Sequence, residues 1–93
     1  MYCLGASTKG NVLLHQLQLT REKVKAVGEI NEDKFGKMTA TGNIPIIAEK
    51  EVLKRDPRKT TILVLPWHFR VFFVEKLADF VSNGGHVIYP FEN

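Results

Sequence analysis

Ninety-three residues, 44% hydrophobic and 25% charged, make one small globular domain near the lower limit of a self-sufficient core and leave no room for a second. No apolar run approaches the roughly 18 residues of a membrane span, and no basic start followed by an apolar stretch marks a secretory signal, so a cytoplasmic chain without a membrane partner is expected. The net charge of +3 is interleaved with acids, which disfavours a nucleic-acid stripe, while one cysteine and three scattered histidines exclude an internal disulfide and show no metal-ligand spacing.

Tyr2 to Leu4 is a short apolar run ending at Gly5, the pattern of a buried strand that feeds a turn. Met1 abuts it with no lead-in, which points to a domain belonging to a longer protein. Val12, Leu13, Leu14 and Leu17 predict a helix from about Lys9 to Gln18, and Val24 to Ile30 predicts a second strand with Glu29 and Asn31 at its polar end. Turn residues Gly36, Gly42 and Asn43 lead to IPII at 44–47, a strand whose Pro45 belongs at a sheet edge. Glu49 to Arg55 reads as a short helix stopped by Asp56 and Pro57. TILVL, Thr61 to Leu65, is the continuous run of a strand buried on both faces, ended by Pro66. Val71, Val74, Leu77, Ala78 and Val81, widened by Phe73 and Phe80, predict one amphipathic helix from Phe69 to Ser82, with Asn83, Gly84 and Gly85 as its left-handed stop. His86 to Tyr89 is the last strand. This alternation predicts a small Rossmann-like three-layer α/β domain with a parallel sheet of about five strands in the order 3-2-1-4-5.

Open sheets of this kind take ligands outside the carboxyl ends of their strands, near the switch point between the first and fourth. That rim gathers Ser7, Thr8, Lys9, Gly10 and Asn11 after the first strand, Glu29 and Asn31 after the second, and Pro66, Trp67, His68 and Phe69 after the fourth. The dense basic run KRDPRK, Lys54 to Lys59, falls at the opposite rim. The turn GASTKG offers backbone N–H groups at a helix start, two hydroxyls and an ammonium, a set suited to a phosphate. It keeps Gly5 and Gly10 of the dinucleotide fingerprint G-x-G-x-x-G, but Ser7 stands where the pyrophosphate approaches most closely, which weakens an NAD reading. The Walker pattern G-x-x-x-x-G-K-[ST] is absent. A capped strand-to-helix turn with no ligand is the competing account.

Glu29, 24 positions after Gly5, is near the spacing of the acid that takes ribose hydroxyls in dinucleotide folds; a solvated or loop-anchoring role competes. Trp67 has the chemistry to stack on a base and His68 to donate a hydrogen bond or act as a general base, against the plainer reading of structural or exposed side chains. Cys3, inside a strand, reads as a small buried apolar residue. No carboxylate pair, Ser/His/Asp set or cofactor lysine assembles. The residues alone lead to an anion- or nucleotide-binding module with no catalytic group.

GASTKGN, EINEDKFGK, IPII, LVLPWHF and NGGHVIYP, in this order and spacing, resemble the C-terminal domain of the S-adenosylmethionine-dependent C-methyltransferases that act on nucleotide-linked deoxysugars. The resemblance covers nearly the whole chain. It implies a larger enzyme whose zinc-binding and central methyltransferase domains lie outside this chain and hold the zinc, the S-adenosylmethionine and the catalytic base, with no cofactor in this domain. It also implies that this domain helps to hold a nucleoside diphosphate sugar and does not itself transfer a methyl group. Ser7, Thr8, Lys9, Gly10 and Asn11 match the family turn, Asn31 the asparagine after the second strand, and Trp67, His68 and Phe69 the motif after the fourth. The family commonly has aspartate where Glu29 stands, asparagine where His68 stands, and a T-P-G-T-like segment where TATGN runs at 39–43. Two rival roles are a stand-alone nucleotide or NAD module and a purely structural domain that packs against the catalytic one.

Overall fold

In a computed structural model that describes residues 1–5 and 8–90, with Thr8 and Lys9 described by their backbone only, the strands are β1 (Tyr2–Leu4), β2 (Val27–Glu29), β3 (Ile46–Ala48), β4 (Thr61–Val64) and β5 (His86–Ile88). They form one sheet in the order β3-β2-β1-β4-β5, parallel at every pairing, which is the expected α/β order. Cys3 in the middle strand lies opposite Val27 on one side and Leu63 on the other. The connecting helices are α1 (Thr8–Gln16), α2 (Glu49–Leu53), α3 (Arg70–Lys76) and α4 (Ala78–Ser82). Among the described residues no helix is long and apolar enough to cross a membrane.

Strands this short are held by burial on both faces. Because successive side chains alternate, Cys3, Val27, Ile46, Leu63 and Leu65 meet Leu13 and Leu14 of α1 on one face. Tyr2, Leu4, Ala26, Ile62 and Val64 meet Val52 of α2, Phe73 and Leu77 at α3, and Phe80 of α4 on the other. Pro45 does lie beside the edge strand, where it bridges Met38 in antiparallel fashion and its carbonyl accepts from the Val27 N–H at 2.9 Å. The run at 54–59 precedes β4 and so occupies the amino-end rim, where Asp56 accepts from the Arg58 N–H at 3.1 Å and caps a short 3-10 turn, Pro57–Lys59.

Element ends differ from expectation for local reasons. Helix α1 stops at Gln16 because Gln18 adopts a left-handed φ of 54°. Residues 20–24 form a turn closed by the Val24 N–H on the Thr20 carbonyl, so β2 starts at Val27 although Val24 is buried.

The larger difference concerns the long helix. Leu77, at φ −98° and ψ 8°, breaks it into α3 and α4, and Phe73, Leu77 and Phe80 are the residues that face the sheet. Val71, Val74 and Val81 are exposed. Both stripes have helical spacing; the one carrying two phenylalanines and a leucine buries more apolar area, and it wins. The predicted stop holds: Gly84 is left-handed at φ 98°, and the Gly85 N–H reaches the Phe80 carbonyl.

Two stability measurements check this packing. Leu63→Ala, at a site 4% exposed between two sheet partners, should cost about 2 to 5 kcal/mol in urea unfolding. The exposed Lys59→Ala should change stability by less than about 0.5 kcal/mol. Burial pushes the Cys3 thiol up to about 12. The unfolded chain ionises this thiol near its ordinary value of about 9, so the contribution is intact below that pH and shrinks as pH rises through the window up to 12, by at most about 1.4 kcal/mol per pH unit. The stability advantage of wild type over Cys3→Ala should therefore narrow between neutral and alkaline pH.

Candidate functional site

The carboxyl rim is built around a close approach of the segments that follow β1 and β4. Gly5 ends β1 at a left-handed φ of 88°, and a Cβ there would lie 2.4 Å from Pro66 Cγ. Gly10, in the first turns of α1, packs so tightly that a Cβ would lie 2.9 Å from the Gly5 carbonyl oxygen and 3.1 Å from Leu65 Cβ. The first and last glycines of the partial fingerprint thus make the tight turn and the close helix–strand contact for which that motif uses them. The ladder continues past the strands through Gly5 N–H to the Gly28 carbonyl and Leu65 N–H to the Leu4 carbonyl, which aligns the three loops.

Beside this seam, on the face covered by α2 and α3, lies a cleft of about 310 Å³. Its backbone floor is Gly5 and Gly28, and its apolar walls are Ile30, Pro66, Phe69, Phe72 and Phe73. Glu29, Glu49, His68 and Lys76 supply its polar groups. Glu49 opens α2 and Lys76 closes α3, so each charge favours its own helix dipole, and they pair with Lys76 Nζ 2.6 Å from Glu49 Oε2. The lysine ammonium also lies 5.4 and 5.8 Å from the ring centres of Phe72 and Phe73. With side chains 11% and 27% exposed, the pair fixes the relation of α2 to α3 at the back of the cleft.

The candidate residues separate into two groups. Glu29 and His68 line the cleft. Glu29 also anchors its own loop: Oε2 accepts from the N–H groups of Ile30 at 2.7 Å and Asn31 at 3.0 Å, and Oε1 lies 3.7 Å from Lys34 Nζ. His68 is exposed, with its ring 4.2 Å from that of Phe69.

Trp67 turns to the other face and packs against the core under α1, although its ring still meets His68 edge-on at 5.6 Å. Asn31 accepts from the Asp33 N–H and caps a 3-10 turn. Asn11 Oδ1 accepts from the Thr41 N–H at 3.2 Å and ties α1 to the β2–β3 connection, within TATGN. The buried Thr39 hydroxyl supports that connection, donating to the Thr41 carbonyl and accepting from the Ile44 N–H. Thr8 and Lys9 lie in the first turn of α1, and Ser7 lies outside the described residues.

Sequence reasoning did not select Ile30, Glu49, Phe72, Phe73 or Lys76 for this site. Phe73 was legible as part of an apolar stripe, but Glu49 and Lys76 read as ordinary helix-surface charges until the fold brings them together. Burial pushes the Cys3 thiol up, away from the thiolate form that a nucleophile needs. Among the described residues no three His, Cys, Asp or Glu side chains are grouped to hold a metal ion.

No curated protein matches the sequence closely enough to count as a relative. The family model described as the C-methyltransferase C-terminal domain matches residues 1–91, spanning the sheet, the helices and every segment that lines the cleft. The chain belongs to the C-methyltransferase C-terminal domain family.

Proposed function

We propose that this domain holds the nucleotide-sugar substrate of a C-methyltransferase dependent on S-adenosylmethionine, and presents it to the central methyltransferase domain of the same protein. The observation that carries this reading is the cleft at the carboxyl ends of β1, β2 and β4, the place where open α/β sheets take ligands. The start of α1 follows from the same rim, and in this reading the turn GASTKG, with Lys9, takes the diphosphate whose nucleoside or sugar enters the cleft. S-adenosylmethionine and zinc belong, in this reading, to the other domains.

A packing role accompanies the binding role. Val71, Val74, Ala78 and Val81 form a stripe along the outer side of α3 and α4 and are exposed, as are Phe69 and Phe72 at the cleft mouth. A helix apolar on both sides is characteristic of one covered on both sides, which supports contact with another part of the enzyme.

Parallel titrations of the chain, followed by NMR, test the binding role. A nucleoside diphosphate sugar should shift signals at the carboxyl rim, and S-adenosylmethionine should give no saturable binding by calorimetry. Lys9→Ala should weaken the first interaction about tenfold or more, since a charge-assisted contact contributes about 1.5 to 3 kcal/mol. Lys54→Ala, at the amino-end rim, should leave it unchanged, and repeating both at two salt concentrations removes non-specific attraction. Shifts gathered at 54–59 that spare residues 8–11 would place the ligand at the wrong end of the sheet.

A further inference from the structure

Resting on that reading, we propose that the cleft beside α3 receives the nucleoside of the substrate, base and ribose together, and that the phosphates and the sugar remain outside it.

Charge decides first. Among the described residues, the ionisable groups that line the cleft are two carboxylates, Glu29 and Glu49, against one ammonium, Lys76, with His68 at its edge. Lys76 is engaged by Glu49 at 2.6 Å, so a diphosphate entering the cleft meets a lining with no surplus of positive charge. A neutral base carries no such penalty. Its edge presents donors, and the carboxylate oxygens of the lining are acceptors of the matching type.

Shape points the same way. At about 310 Å³ the cleft is at the small end of ligand pockets, which suits one nucleoside and not an entire nucleotide sugar. Its walls are ring and aliphatic carbon. Phe69 and Phe72, 57% and 58% exposed, stand at the mouth, where a flat heterocycle covers them and a hydroxyl-rich sugar does not gain by doing so. Glu29 occupies the end of β2, where dinucleotide folds hold ribose hydroxyls. Its carboxylate is already fixed by the two N–H groups at 2.7 and 3.0 Å, so the acceptor is positioned before the ligand arrives.

The test uses the 93-residue chain with UDP-glucose and TDP-glucose as probes, thymidine and uridine as uncharged counterparts, and pyrophosphate as the phosphate control. Base and ribose protons should give intermolecular NOEs to the Phe69 and Phe72 rings, and the nucleosides alone should shift the same ring signals. Phe72→Ala should weaken nucleoside and nucleotide-sugar binding by a common factor of about fivefold or more, the low end of what base–aromatic stacking contributes, and leave pyrophosphate unaffected. The exposure of Phe72 keeps the variant folded, and Phe69→Ala gives an independent second reading. NOEs from glucose protons to these rings overturn the assignment, as does Lys9-dependent binding that perturbs neither ring; in both cases the substrate-binding role stands. If none of the probes perturbs the carboxyl rim, that role falls and this inference with it.

Discussion

The arrangement of the rim depends on how closely the end of β1 approaches the end of β4. A side chain at Gly5 would collide with Pro66, and one at Gly10 with the Gly5 carbonyl and Leu65. These contacts bring α1, the β1 turn and the Pro66–Phe69 segment into one seam at the switch point of the sheet. The cleft exists because that seam is shut: Pro66 closes one wall against Gly5, and the chain then leaves in a 3-10 turn, Trp67–Phe69, that sends Trp67 to one face and Phe69 to the other. A single motif, PWHF, therefore contributes to the core under α1 and to the wall of the cleft.

Most of the described polar side chains at the rim are committed to the protein. Asn31 and Glu29 cap the β2 loop, and Asn11 holds the β2–β3 connection. Glu49 and Lys76 join two short helices, each too short to be stable alone, at the ends where their dipoles favour those charges. Such a site is preorganised. Its polar groups are already held together, and the entropy of ordering them is lost in folding.

The strand order was legible because parallel strands buried on both faces read as nearly unbroken apolar runs, and TILVL and YCL contain no charged residue that would need water on one side. The helix after PWHF was legible as a helix but not in its orientation. Residues 71, 74, 78 and 81 repeat with the same period as 73, 77 and 80, and periodicity alone does not choose between two stripes. The choice follows from side-chain size and from the break at Leu77, neither of which changes the spacing. The site was legible in part for a related reason. Position on the rim follows from topology, so Glu29 and His68 could be placed there; the direction of a side chain does not, so Asn11, Asn31 and Trp67 could not be separated from them. Glu49 and Lys76, far apart in the sequence, became a pair only through the packing of α2 and α3.

The partial glycine fingerprint can now be divided by cause. Gly5 is required by its left-handed turn and by Pro66, and Gly10 by the contact of α1 with the end of β4; both requirements exist in a domain that binds nothing. Two of the three positions are therefore signatures of packing, and they carry little information about a ligand. The middle position is the one whose usual glycine serves the ligand, by letting a pyrophosphate reach the backbone, and here the sequence has Ser7. The sequence thus has the two glycines that packing requires and lacks the one that would serve a pyrophosphate. Among the described residues, apolar area left uncovered lies at Phe69 and Phe72 on the cleft wall and along the stripe of Val71, Val74 and Val81 on the outer side of the same helices.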